Sequence, residues 1–570
     1  MLDIKVGFGV VKMNRENIKH YASIAAKMGL FPIIFYFIFF CILTYPLILQ
    51  FSTHFFADQG DGLQNVWNIW WVNKAVTELH QSLWQTRYLH YPYGVSLHGH
   101  TLNPFNGLMG IFLLKFLTLI KTHNFIVVFS FVGGGLTAFL LAHYFTKSYW
   151  SSIIAGFIFT FSNYHFAHAQ GHLQMVSLEW IPLFVLFWYM LVTKPRIVTA
   201  IASAIVLFAV LLCDYYYFLY CVMIACLIFG WYSIQKKNIF FFLRKEHLVP
   251  FTAFFVGLLI TAGPLVVSFL LLNTRDPFLL AHSPKIFSLD LLAPFIPGGH
   301  WRFAHLTHSY WSNLPGNIHE SSVHIGLAVF YILIFTWVKR RKFPAQGLRL
   351  WYLILIFFTV MGLGPVLHIW GREIPFIRLP YALFEMVFPP LKVSGVPVRM
   401  MVMTMLSAAV ISAMGFKVLF RQSAGKRLLA GLLLIILFIE YLPRPIPASK
   451  IVIPPYVNFL KDLPDTKGIV DIIAEPTLAL YYQTIHEKPI AFGYLSRIPT
   501  SVNTKDEKLE QLIRDKQYTL LYHDYNIRYL VTDADTDMVN ECPSIRTLYQ
   551  DTKVKLFDLG TENNFRRGQR

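Results

Sequence analysis

Eleven apolar runs, each close to the ~20 residues that a helix needs to cross a bilayer, constrain this 570-residue chain more than any other feature. They lie at about 30–51, 124–145, 150–165, 173–193, 197–213, 216–233, 248–272, 322–338, 348–368, 398–418 and 427–443. A soluble domain is nearer a quarter charged; here 14% of residues are charged and 55% are hydrophobic. The expected fold is an α-helical polytopic membrane protein of about 11 transmembrane helices. The net charge of +18 sits mostly in short loops between the runs, where Lys and Arg set orientation. No basic and aromatic groove pattern appears in a soluble segment, so nucleic acid is not an expected partner. The five cysteines (Cys41, Cys213, Cys221, Cys226 and Cys542) have no ligand spacing and imply neither a disulfide framework nor a zinc site.

A twelfth segment, 104–121, decides the parity of the topology. It contains "PFNGLMGIFLLKFLTLI", with Pro104 at its start and Lys115 within it. If it does not cross, the basic loops at 146–148, 193–196, 235–247, 338–342 and 416–427 share the side of the basic amino end (Lys5, Lys12, Arg15, Lys19, Lys27). If it crosses, all five flip against the positive-inside rule. The segment is therefore expected to lie on the outer surface. Residues 1–29 are then cytoplasmic, the first run is an uncleaved anchor in the inner (cytoplasmic) membrane, and 30–443 form the membrane domain. Its outer loops are 52–123, 161–174, 273–321 and 369–397. A proline-rich linker at 444–455 precedes a small α/β or α+β extracytoplasmic domain at 456–570, where charge returns to ordinary density.

The outer loops hold the candidate chemistry. "FFADQGDGLQNVWNIWW" places Asp58 and Asp61 just after the first run, with Gly60 and Gly62 allowing a tight turn. Trp67, Trp70, Trp71 and Lys74 follow at helical spacing, and the expectation is an interfacial helix with its indoles resting on lipid. The plain alternative for either acid is a helix cap. "FSNYHFAHAQGHLQ" brings His165, His168 and His172 to helical spacing, with Glu179 at the next run. These are candidate substrate-binding residues; such a triple suits a divalent metal, a phosphate or proton transfer, though ordinary interfacial histidines look the same. Arg275, Arg302, Arg372, Arg378 and Arg399 lie on the outer side. Arginine suits bidentate phosphate recognition, and Arg275, Arg302, Arg372 and Arg399 are the candidates for a lipid phosphate; the alternative is snorkelling anchors. In "YYQTIHEKPIAFGYLSR", Gln483, His486, Lys488 and Arg497 either touch an acceptor or close over the membrane site, or merely pack the outer domain.

The arrangement resembles the GT-C superfamily of membrane glycosyltransferases, which includes the protein O-mannosyltransferases and the bacterial aminoarabinose transferase. The likeness covers roughly 30–420 and rests on "ADQGDGLQNVWNIWW", the tight turn near 146 and "FSNYHFAHAQGHLQ"; "GHLQMVSLEWIPL" and "YYQTIHEKPIAFGYLSR" resemble an uncharacterised bacterial subfamily. It implies inverting transfer of a sugar from a polyprenyl-phosphate carrier to a glycan, lipid or protein acceptor on the outer face. The early acid of the family falls on Asp61 or Asp58 as general base. Many members carry acids in the second outer loop where this chain has histidines, so the resemblance assigns no metal, and a divalent ion is the one cofactor left open. The alternative function is a transporter or flippase of a lipid-linked glycan, which would instead place ionisable groups along its spans.

Overall fold

The computed structural model describes residues 2–6, 9–13, 23, 26–279, 282–343, 345–388, 391, 395–463, 467–536 and 545–560; Cys542 lies outside them. Four helices are long and apolar enough to cross a membrane alone: Ala26–Thr44, Leu119–Thr146, Tyr215–Lys236 and Pro397–Phe420. Lys245–Thr261 and Gly263–Arg275 make a fifth if their 48° bend is taken as one span. Pro264 at the start of the second piece accounts for the break, since proline clashes with the preceding turn. The other expected runs carry shorter helices, among them Tyr149–Thr160, Trp180–Thr193, Ile197–Cys213 and Leu327–Val338.

Local chemistry sets these elements close together. Lys147 adopts a left-handed conformation at φ 52° and turns the chain between Leu119–Thr146 and Tyr149–Thr160. A Cβ at Gly156 would stand 2.5 Å from the carbonyl of Gly135, so only glycine permits this approach. Tyr36 fills the seam and donates its hydroxyl to Ile153 O at 3.0 Å.

The ambiguous segment forms a helix of ten residues, Pro104–Leu113, about 15 Å long and half the hydrocarbon thickness. Asn103 caps it by accepting from the Asn106 N–H. Gly107 faces Val72 and Gly110 faces Ile69, whereas Leu108 and Phe112 are exposed. One side of the segment therefore packs on helix Asp61–Asn73 while the other stays open.

Residues 455–560 build a mixed four-stranded sheet, in the spatial order Arg546–Gln550, Val554–Asp558, Ile527–Asp533, Gly468–Asp471. Ile527–Asp533 pairs antiparallel with Val554–Asp558 and parallel with Gly468–Asp471. Helices Pro455–Asp462, Pro476–His486 and Thr500–Arg514 flank it.

This unit shares a hydrophobic core with the first loop, and here one expectation is corrected. Trp67, Trp70 and Trp71 do not rest on lipid: they are buried in a cluster with Leu480, Tyr481 and Val531. The Trp67 and Trp71 rings are parallel, 5.7 Å apart, and Trp67 Nε1 donates to Gln483 Oε1 at 2.7 Å. A buried indole N–H needs an acceptor, and the carboxyl-terminal unit supplies it. Lys74 reaches Glu78 at 2.8 Å and Glu487 at 2.7 Å. Further ties are a short antiparallel pairing of Phe278–Leu279 with Ile498–Pro499 and a His90–Asp506 contact of 2.8 Å.

Candidate functional site

The two acids of the first loop have different surroundings. Asp58 is tied into its own turn: its Oδ1 accepts from the N–H groups of Gly60 and Gly62, both at 3.0 Å. Its own N–H donates to Gln170 O at 2.6 Å. The capping alternative describes Asp58 well. Asp61 opens the helix, and its Oδ2 lies 3.0 Å from His172 Nε2. With 38% of its side chain exposed, it remains open to a substrate. Burial pushes its carboxyl up, but hydrogen bonds from His172 and Tyr494 outweigh that and bring it net below the ordinary value of 3.8. The Tyr494 hydroxyl is correspondingly raised, by burial first and then by the Asp61 charge.

His172 links Asp61 to a buried chain of polar groups. Its Nδ1 is 3.0 Å from Nδ1 of His168, and His168 Nε2 is 3.9 Å from Glu320 Oε2. Burial holds His168 well below 6.5 despite the Glu320 charge, so its ring is neutral at neutral pH. Glu320 Oε1 accepts from Arg399 Nε at 2.9 Å and from Nη2 of the same guanidinium. Burial alone would raise this carboxyl; the Arg399 charge reverses the effect and holds it at about 2. His319 lies beside His172, with ring centroids 5.6 Å apart, and stacks on His300 at 4.9 Å. Gln170 Nε2 holds His300 Nδ1 at 2.6 Å.

The ligand atoms of His168, His172 and Glu320 lie within 4.8 Å of one another. Two of the buried polar atoms there, His168 Nε2 and Glu320 Oε2, have no hydrogen-bond partner. Two imidazoles and a carboxylate are a donor set that a divalent transition metal accepts, so these residues fit an ion. Asp61 would then be the carboxylate that orients a metal-bound histidine.

An apolar cavity of about 250 Å³ opens beside this cluster. Pro104, Leu211, Tyr215 and Phe269 line it, together with the charged groups Asp214 and Arg497. Arg497 Nη2 donates to the Tyr216 hydroxyl at 3.1 Å, and the Tyr216 ring lies 4.7 Å from the Arg399 guanidinium. Tyr216 thus bridges two arginines, one in the cavity and one on Glu320. Tyr494, which bonds Asp61, lies three residues before Arg497, about 10 Å of extended chain. Between them Ser496 Oγ accepts from the Thr101 N–H at 3.1 Å.

The other sequence candidates are dispersed. His165 is buried between Thr160 O at 2.7 Å and Val176 O at 2.8 Å and stacks on Phe131, a packing role. Glu179 is buried and accepts from Ser130 Oγ at 2.6 Å. Arg275, Arg302 and Arg372 are exposed and are not brought to the cluster; Arg399 is. Gln483, His486 and Lys488 are buried within the packed outer unit, and Lys488 Nζ donates to Leu463 O at 2.7 Å. Sequence reasoning missed Glu320, His300, His319, Tyr216 and Tyr494. The adjacent "HE" of "GNIHESS" in the third loop was the available signal.

No family model matches the sequence, and no curated protein matches it. Among solved structures, a mutant form of the arabinofuranosyltransferase AftD from mycobacteria aligns with 96% of this chain and 42% of its own length, at 14% identity and a TM-score of 0.57. The chain therefore spans less than half the length of that neighbour. The oligosaccharyltransferase AglB from Archaeoglobus fulgidus, in complex with an inhibitory peptide and a dolichol-phosphate, aligns over 90% of this chain and 69% of its own at 11% identity, with a TM-score of 0.45. ArnT from Cupriavidus metallidurans, bound to undecaprenyl phosphate, aligns over 93% and 98% at 12% identity, with a TM-score of 0.41. All three are GT-C glycosyltransferases. With AftD this chain shares the fold, and the resemblance expected from the sequence is met at that level.

Proposed function

We propose that the chain is a membrane glycosyltransferase that moves a sugar from a polyprenyl-phosphate carrier to an acceptor hydroxyl on the outer face of the membrane. The observation that carries this reading is the short path from Asp61, an accessible carboxylate, through Tyr494 to Arg497 in the lining of an apolar cavity. The fold shared with an arabinofuranosyltransferase supports it.

In this reading the cavity takes the polyprenyl chain and Arg497 faces the phosphate, while Arg399 reinforces its field through Tyr216. Asp61 stays ionised through the neutral range because His172 and Tyr494 hold its charge. It accepts the proton of the acceptor hydroxyl as the acceptor oxygen bonds to the anomeric carbon. The bond from that carbon to the phosphate oxygen breaks on the opposite side, the configuration inverts, and the arginines stabilise the departing lipid phosphate. His168, His172 and Glu320 would hold a divalent ion, which supplies charge stabilisation when bound. Arg275, Arg302 and Arg372 lie away from this path and are retained only as interfacial cations. The chain faces its site and carboxyl-terminal unit outward, with the amino end cytoplasmic. Vesicles containing the protein and a polyprenyl-phosphate sugar test the reading: sugar should appear on the acceptor, and transport of the intact lipid-linked glycan without transfer would overturn it.

A further inference from the structure

On the side expected to be cytoplasmic, a second, open pocket of about 490 Å³ is lined by residues at the ends of four helices. Trp180–Thr193 and Ile197–Cys213 both lead away from the site. The latter, with 17 residues, places its amino end about 25 Å from Asp214. Lys194 and Arg196 come from the turn between these helices, Lys236 from the end of Tyr215–Lys236, and Arg244 from just before Lys245–Thr261. Among the described residues none of these four cations makes an ion pair with a carboxylate. Glu246 is the one acid in the lining.

Two further features distinguish the pocket from ordinary basic loops. His247 lines it and is buried, with the backbone of Val192 beside its ring; among the described residues no side chain completes its ring nitrogens, and Glu246 Oε1 comes no nearer than 3.8 Å. An imidazole with at most one backbone partner still has a ring nitrogen to offer a ligand in the pocket. The helix faces beside the pocket are apolar and exposed: Val198 and Ile205 on one side, Val249 and Val256 on the other, with Ile239 and Phe240 at the rim. The positive-inside rule asks only that Lys and Arg lie on one side. It does not require four of them, from two separate connections, to converge on one concavity between lipid-facing walls.

We propose that this pocket binds the phosphate headgroup of an anionic membrane lipid, with the acyl chains lying along the exposed faces of Ile197–Cys213 and Lys245–Thr261. Arg196 and Arg244 would grip the phosphate oxygens, Lys194 and Lys236 add charge, and His247 donates from the pocket floor. The site is independent of the transfer reaction, so it stands even if the proposed function fails.

The test uses the full chain purified in detergent and supplied with phosphatidylglycerol, phosphatidylcholine or inorganic phosphate, with thermal stability and retained lipid per chain as readouts. Phosphatidylglycerol should stabilise the wild type and be retained, whereas phosphatidylcholine and inorganic phosphate should do neither. Arg196→Gln combined with Arg244→Gln should lower phosphatidylglycerol retention at least fivefold. Arg340→Gln combined with Arg341→Gln, on another basic loop of the same face, should leave it unchanged. If the first pair fails to fold, Lys194→Gln with Lys236→Gln provides the milder version and should still lower retention at least twofold. Equal loss in the control pair, equal retention of phosphatidylcholine, or stabilisation by inorganic phosphate alone would each overturn the proposal.

Discussion

Replacing Glu320 by Gln isolates what the buried charge pair does for stability from what it does for activity. Glu320 and Arg399 are 3% and 8% exposed, and the guanidinium bonds the carboxylate through Nε and Nη2. Removing one member of such a pair leaves the other charge buried and unpaired, which costs about 3–5 kcal/mol, or roughly two to three and a half orders of magnitude in the folded ratio. The folded carboxyl is held at about 2 against an ordinary value of 4.5. A depressed acid contributes stability that is full above its unfolded pKa and is lost as pH falls through the folded one. The wild type should therefore lose stability between pH ~4.5 and ~2, and Glu320→Gln should start lower and show a flatter profile in that window. Replacing both residues with apolar ones, Glu320→Leu with Arg399→Met, should recover most of the lost stability, because two charges no longer need desolvation. It should not recover activity, since Glu320 is also a candidate metal donor. Thermal inactivation in detergent across pH, with sugar transfer measured on the same samples, reads both. A Glu320→Gln variant as stable as the wild type, or an active double variant, would refute the reasoning.

Further outcomes are expected from the same geometry. Tyr494→Phe removes a hydrogen bond that lowers the Asp61 carboxyl, so the acid limb of the pH–rate profile should move to higher pH, and turnover should fall by roughly three- to tenfold for a lost bond of about 1 kcal/mol; an unmoved acid limb would argue against the contact. Trp67→Ala should cost about 3–5 kcal/mol by opening a cavity in the shared core and should make the 455–560 unit easier to release by limited proteolysis; unchanged protease resistance would contradict the shared core. His168→Ala with His172→Ala should abolish any stoichiometric divalent ion measured by elemental analysis after purification. An ion retained at wild-type level would place the donor set elsewhere.

The sequence made the membrane class and the first loop legible because hydropathy and the Asp-Gly spacing are local signals. The return of charge density after the prolines is a compositional change and sets off the carboxyl-terminal residues, but composition does not show that their core is continuous with that of the first loop. The tryptophans were misread for a physical reason. An indole at helical spacing next to a membrane run looks the same whether it meets lipid or another part of the chain, and the partner, Gln483, is more than 400 residues away. His165 and His168 are only three apart, yet the first is fixed by two carbonyls and the second faces Glu320; spacing alone does not tell these apart. Of the outer arginines, Arg399 is buried beside a carboxylate, whereas Arg275, Arg302 and Arg372 are exposed. Tyr494 and Arg497 belong to a loop that becomes part of the site only when the outer unit docks, a tertiary event no local pattern encodes.

The most direct measurement is sugar transfer by Asp61→Asn set against Asp58→Asn in vesicles supplied with a polyprenyl-phosphate sugar. Loss of the base is expected to lower the rate of Asp61→Asn by a factor of about 10²–10⁴, with the protein still folded and inserted. Asp58→Asn should lose far less rate, its turn being weakened rather than its chemistry removed. Full transfer by Asp61→Asn, or a loss equal to that of Asp58→Asn, would contradict the assignment of the carboxylate.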